Sequence, residues 1–134
     1  MEQFQHSLRV RYSEVDAQGI VFNANYLMYF DVAVTEYFRA LGQPYTQFVE
    51  RYGLDFHVSH AELDFKAPAK SDDEIVVHLR GEYSGATVHW YFQMQRAETL
   101  LCSGKINYVC VDTATGKVKR IPAEIGDLLR WQAL

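Results

Sequence analysis

Apolar and polar residues alternate at the start of the chain. Phe4, His6, Leu8, Val10 and Tyr12 fall on one side, and Gln5, Ser7, Arg9 and Arg11 on the other. A period of two predicts a half-buried strand from Phe4 to Tyr12. The period then changes. After a polar stretch from Ser13 to Gly19, the residues Tyr26, Phe30, Val34, Tyr37 and Leu41 recur at three- and four-residue intervals, as on one face of a helix. Asn23 or Asn25 is placed to cap its start, and Gly42 followed by Pro44 to end it, so the pattern predicts a helix of about 19 residues, roughly 28 Å long. Leu27, Val32, Ala33 and Phe38 widen its apolar surface, leaving Asp31, Thr35, Glu36 and Arg39 polar, which predicts burial on most sides.

A shorter helix is expected from Tyr45 to Tyr52, stopped by Gly53. Strand-like runs follow at Leu54–Phe65, Glu74–Tyr83, Thr87–Arg96 and Leu100–Asp112, and their short connections favour an antiparallel meander. Asp112 to Gly116 reads as a turn, Lys117 to Ile121 as a brief strand, and Pro122 to Trp131 as a terminal helix with proline in its first turn. One strand, one long apolar helix and then several antiparallel strands make an α+β arrangement, an antiparallel sheet wrapped around one central helix. With 134 residues the chain has room for a single domain, residues 1–134. A single sheet over one helix leaves strand edges and a second face to protect, so a homodimer at minimum, or a homotetramer, is expected.

Composition narrows the partners. Hydrophobic residues make up 49% and charged residues 22%, an ordinary globular balance that excludes disorder as the main state. Seventeen acidic residues against thirteen basic ones argue against a nucleic-acid partner. The first residues lack a basic stretch followed by an apolar run, so a cytoplasmic location is expected. The most apolar stretch, Ile20 to Val34, is broken by Asn23, Asn25 and Asp31 and predicts no membrane span. Cys102 and Cys110 lie on one predicted strand, too far apart to be bridged, and read as reduced packing residues.

Candidate chemistry concentrates between Tyr12 and Tyr26. Asp16 precedes Asn23 by seven residues, and Gly19 allows the loop between them to turn sharply. A helix N-terminus offers unpaired N–H groups and a positive dipole end, suited to the charge that develops on a carbonyl oxygen during acyl transfer. The same pattern is also a common turn, in which the aspartate only satisfies loop amides, and the pattern by itself leaves both readings open.

The segment resembles the hot-dog-fold acyl-CoA thioesterases of the 4-hydroxybenzoyl-CoA thioesterase and YbgC-like families. Their signature of Asp-x-x-Gly-x-Val or Ile, followed by Tyr, is matched by Asp16, Gly19, Val21 and Tyr26, with Asp31 at the later acidic position. Phe65-Lys-Ala-Pro68, leading into Asp73 and Ile75, is a second and less specific match. The resemblance implies a hot-dog fold and hydrolysis of an acyl-CoA thioester to a carboxylic acid and CoA. It implies Asp16 as the catalytic carboxylate and the Asn23 N–H as the oxyanion donor, with Gly19, Val21 and Tyr26 at the substrate. Many YbgC-type relatives carry His where this chain has Asn23, so no imidazole role is implied there, while every non-proline residue supplies the amide. A carboxylate, ionised at neutral pH, can attack the carbonyl directly or deprotonate a water. An oxyanion donor is worth about 3 kcal/mol in comparable sites. No metal and no separate cofactor is expected, since coenzyme A enters as part of the substrate.

Other candidates carry less. His57, His60, Glu62 and Asp64 suggest a metal, but residues three apart on a strand face opposite ways. His78 and His89 lie on separate strands that could bring them together. No Gly-x-Ser-x-Gly, Gly-x-Gly-x-x-Gly or phosphate-loop pattern occurs, which disfavours a serine hydrolase and the usual nucleotide folds. Lys66, Lys70, Arg80, Arg96, Lys105 and Arg120 are possible partners for CoA phosphates, and the aromatic residues of the long helix belong to the core or to an acyl pocket. The competing functions are a non-catalytic acyl or small-ligand binding module on the same scaffold and a hot-dog dehydratase.

Overall fold

The computed structural model describes residues 3–130. Strand β1 (Phe4–Arg9) leads through a single 3-10 turn (Tyr12–Glu14) to helix α1 (Ala24–Ala40), and helix α2 (Tyr45–Tyr52) follows. Strands β2 (Leu54–Phe65), β3 (Glu74–Ser84), β4 (Thr87–Arg96) and β5 (Thr99–Asp112) come next, then helix α3 (Ala123–Leu128). All the strand pairs are antiparallel, in the order β1-β3-β4-β5-β2, so β2 returns past β5 to form the far edge. The alternation seen in the sequence is the alternation of burial: Ile75, Val77 and Leu79 of β3 and Val88, Trp90, Phe92 and Met94 of β4 all point inward.

Helix α1 packs its aromatic face on that surface. Phe30 lies 4.5 Å from Phe92 between ring centroids, Tyr37 meets Trp90 at 5.0 Å and Phe4 at 5.4 Å, and the Tyr37 hydroxyl donates to the Leu128 carbonyl at 2.6 Å, joining α3 to the core. Cys102 and Cys110 are free and buried on β5, and burial pushes the Cys102 thiol up to about 11. Among the described residues no helix is long and apolar enough to cross a membrane.

Several elements differ from the sequence reading. β1 ends at Arg9, because Val10 turns into the core and bonds the loop at Asp72 and Asp73, while the Arg11 carbonyl accepts the Glu14 N–H. Tyr12 is therefore 84% exposed instead of facing inward. α1 has 17 residues and buries one face only; Leu27, Met28 and Val32 stay about two-fifths exposed because the sheet covers a single side of the helix. Lys117 to Ile121 is no strand but a segment with one isolated bridge, Val118 to Val111. Pro122 precedes α3 at its cap, and Trp131 lies outside the described residues.

One close approach is decisive for the sheet. Gly104 on β5 faces Phe92 on β4 and Leu63 on β2. A Cβ there would stand 2.5 Å from the Glu62 carbonyl oxygen and 2.6 Å from the Phe92 ring. The first of these neighbours is backbone and cannot swing away. Gly104→Ala is expected to destabilise the fold by about 1–3 kcal/mol, measured by urea unfolding. An unchanged midpoint would show that the sheet yields there at no cost.

Candidate active site

Asp16 opens a three-residue hairpin. Its N–H donates to the Ile20 carbonyl at 2.9 Å and its carbonyl accepts from the Gly19 N–H at 2.9 Å, while Val15 bridges to Val21. The turn requires a left-handed residue at its last position, and Gly19 supplies φ of +79°. The Phe22 N–H donates to the Glu14 carbonyl at 3.0 Å, so the stem of the hairpin runs directly into the start of α1. Half-buried Asp16 accepts the Gln18 N–H on Oδ1 at 2.8 Å, so the turn reading of this residue is true of one oxygen. Its other oxygen, Oδ2, has no hydrogen-bond partner among the described residues.

Asn23 is the last residue before α1. Its backbone is already helical, and its side chain makes no capping bond. Asn25 does not cap either: its Nδ2 donates back to the Glu14 carbonyl at 2.8 Å. The N–H groups of Asn23 and Ala24 consequently have no acceptor among the described residues, whereas that of Asn25 is taken by the Phe22 carbonyl. An acid-bearing turn and a helix end with open amides thus belong to one continuous hydrogen-bonded unit.

Val21 and Tyr26 lie beneath it, each 3% exposed. The Val21 N–H donates to the Ala69 carbonyl at 2.8 Å, the Ala69 N–H donates to the Tyr26 hydroxyl at 3.2 Å, and the Tyr26 ring packs edge-on against Phe65. This stitches the loop between β2 and β3 to the hairpin. Asp73 and Arg96 brace the same loop through a 2.8 Å ion pair, so Arg96 has a structural task, while Lys66 and Lys70 remain exposed on it.

Glu14, which the sequence placed in an unremarkable polar loop, is buried. It is 5% exposed, and its carboxylate accepts from the Arg11 N–H (2.8 Å), the Arg11 guanidinium (2.8 Å) and the Tyr29 hydroxyl (2.9 Å). Burial alone raises its pKa, but these donors outweigh it and hold the carboxyl below its ordinary value. Arg11 caps the same 3-10 turn three residues earlier, but no periodicity could have revealed the burial, since the Tyr29 hydroxyl comes from α1.

Farther along α1, Asp31 accepts from the Tyr108 hydroxyl at 3.3 Å at the mouth of a cavity of about 160 Å3. Val34, Phe38, Phe56 and Trp90 give that cavity its apolar lining. Asp31 stands eight residues beyond Asn23, about 12 Å of helix rise. On the open face of the sheet, Arg80 and Lys105 flank the Tyr91 ring. His78 and His89 do not meet: His78 faces Gln93, and His89 lies between Ser84 and Asn107. His57 and His60 pair with Asp55 and Glu62 on their own strand, and among the described residues no three potential ligands converge on a metal position.

A five-stranded antiparallel sheet packed on one long helix, with an acidic turn at the helix start, defines a hot-dog domain. The family model of the Thioesterase-like superfamily matches residues 10–129, and the chain belongs to that superfamily. It is 32% identical over 123 residues to the acyl-CoA thioesterase YbgC of Haemophilus influenzae, covering 91% of this chain and 90% of that protein. It is 29% identical over 127 residues to the acyl-CoA thioester hydrolase YbgC of Escherichia coli O157:H7, covering 91% and 92%. A crystal structure of a hypothetical protein from Aquifex aeolicus superposes with a TM-score of 0.87 at 31% identity, covering 95% of this chain and 99% of that one.

Proposed function

We propose that this protein is an acyl-CoA thioesterase that hydrolyses an acyl-CoA thioester to a free carboxylic acid and CoA. The observation that carries the reading is the continuity of the Asp16 hairpin with the open amides of the α1 start. Membership of the superfamily and the activities named for its YbgC relatives support it.

In this reading the thioester carbonyl oxygen accepts from the Asn23 N–H, and the carbonyl carbon faces the free oxygen of Asp16. Either that oxygen attacks, expelling the CoA thiolate and leaving a mixed anhydride that water then hydrolyses, or it takes a proton from a water that attacks in its place. Both routes end in the same acid and the same thiol. Gly19 shapes the turn, and Val21 and Tyr26 form the floor that fixes the substrate's approach. The acyl group runs along α1 toward the apolar cavity by Asp31. The chain's own residues supply this chemistry, with coenzyme A arriving as part of the substrate. A cytoplasmic setting suits a substrate carried on coenzyme A.

Free-thiol release from a panel of acyl-CoA esters of varied length and aromaticity tests the activity. Binding of these esters without thiol release would mark a binding module, and hydration of an enoyl thioester would mark a dehydratase.

The active form in this proposal is a homodimer or a homotetramer. Edge strand β2 is 12 residues long and leaves Val58 57% and Phe65 54% exposed, a poor surface to leave in water. A second copy adding its own β2 would cover it. Sedimentation is expected to give a mass of at least two chains, and Val58→Lys, which puts a charge in the middle of that edge, is expected to shift the population toward single chains. A native chain that sediments as a monomer at micromolar concentration would refute this assembly.

A further inference from the structure

The hydrogen bonds around Glu14 have a reach beyond folding. Its carboxylate holds Arg11 at the cap of the 3-10 turn and Tyr29 in the second turn of α1. Its carbonyl oxygen accepts both the Phe22 N–H and the Asn25 Nδ2. One residue, two positions before Asp16, therefore clamps the stem of the acidic hairpin to the beginning of the helix from both its main chain and its side chain. Among the described residues it is the one charged side chain that is buried. Removing a carboxylate from water is costly, so such a group is expected where its geometry has a use.

We propose that Glu14 is a positioning residue for thioester hydrolysis: by locking the hairpin to α1 it sets the reach between the Asp16 carboxylate and the Asn23 amide. This rests on the roles given to Asp16 and Asn23 above. Glu14 is 5% exposed, in the wall of a pocket it shares with Arg11, Met28 and Tyr29, and in this proposal it acts through the hairpin and not on the substrate. Its carboxylate oxygens are acceptors toward donors on two sides. In Glu14→Gln one acceptor becomes an NH2 group that opposes either the Arg11 guanidinium or the Arg11 N–H, which loosens the clamp without emptying the space. Tyr29→Phe removes a single donor, and Asn25→Ala removes one of the two bonds to the Glu14 carbonyl.

The test is steady-state hydrolysis of the best ester of the panel, expressed per folded molecule well below each variant's own unfolding temperature. Glu14→Gln is expected to lower kcat by about tenfold to a hundredfold, because small misplacements act on the reacting geometry, while KM changes by less than about twofold. Tyr29→Phe and Asn25→Ala are expected to lower kcat by about threefold or more in the same pattern. A purely structural residue would leave kcat per folded molecule alone. Combined with Asp16→Asn, Glu14→Gln is expected to change the residual rate by less than about twofold, since nothing remains to be positioned. An unchanged kcat for Glu14→Gln, or the same fold-loss with and without Asp16, would overturn the proposal. If Glu14→Gln does not fold, Tyr29→Phe and Asn25→Ala decide it by the same criteria. Should Asp16→Asn prove as fast as the native chain, the hydrolytic reading of Asp16 fails; a slow Asp16→Asn beside an unaffected Glu14→Gln defeats only the role given to Glu14.

Discussion

Replacing Asp16 by asparagine is expected to slow thiol release from acyl-CoA by about 10²- to 10⁴-fold, the range spanned by loss of a positioned acid–base group. Asparagine is the informative choice because of what Asp16 does locally. Its Oδ1 accepts the Gln18 N–H at 2.8 Å, and an amide oxygen can accept that bond equally well. The turn survives while the charge and the nucleophilic oxygen are lost. Asp16→Ala removes the turn bond too and is expected to lower stability by about 1 kcal/mol beyond the same kinetic loss. Circular dichroism and thermal unfolding of the asparagine variant should match the native chain. A variant with native turnover would show that this carboxylate only shapes the loop. Single-turnover hydrolysis in 18O-labelled water detects direct attack: water opening the mixed anhydride at the Asp16 carboxyl carbon leaves the label on Asp16 and an unlabelled oxygen in the first product acid, whereas general-base catalysis labels the acid and leaves Asp16 unlabelled.

Phe30→Ala is expected to destabilise the fold by about 3–5 kcal/mol, the usual cost of deleting a fully buried aromatic ring. Phe30 is 0% exposed, sits 4.5 Å from Phe92 and stacks with Tyr108 at 6.5 Å, so it fills the space between α1 and the middle strands. Its neighbours belong to a sheet whose strands are held by their own ladders and cannot collapse onto the hole. The unfolding temperature should drop by roughly 10–20 °C at constant protein concentration. A fall of less than about 1 kcal/mol would mean that helix and sheet close over the gap.

These two residues also show what the chain discloses at first reading. Phe30 belongs to a repeat of three and four that any helix with one buried face must carry, and it is in the core because that face has a sheet to meet. Asp16 announced itself by its distance from Gly19 and from the helix start, both short-range relations. The limits of β2 and β4 were legible for a similar reason: Gly53 stands just before the first of these strand-like runs, and Ala97 and Glu98 break the chain just after the second. Tyr12 misled because it continued the alternation of β1 while its backbone had already left the strand, drawn into a 3-10 turn closed by Arg11 and Glu14. The width of the apolar surface on α1 misled in another way, since Leu27, Met28 and Val32 are apolar without being covered in a single chain.

From sequence alone came the α+β class, the order of its elements, the acidic turn beside a helix start and the family that turn resembles, because each depends on residues close together along the chain. The tertiary structure decided which edge of the sheet stays open, that the Asn23 and Ala24 amides are left without acceptors, and that Glu14 is buried under Arg11 and Tyr29. Those facts depend on groups brought together from separate elements, and a linear pattern carries no record of which distant partner fills a given space.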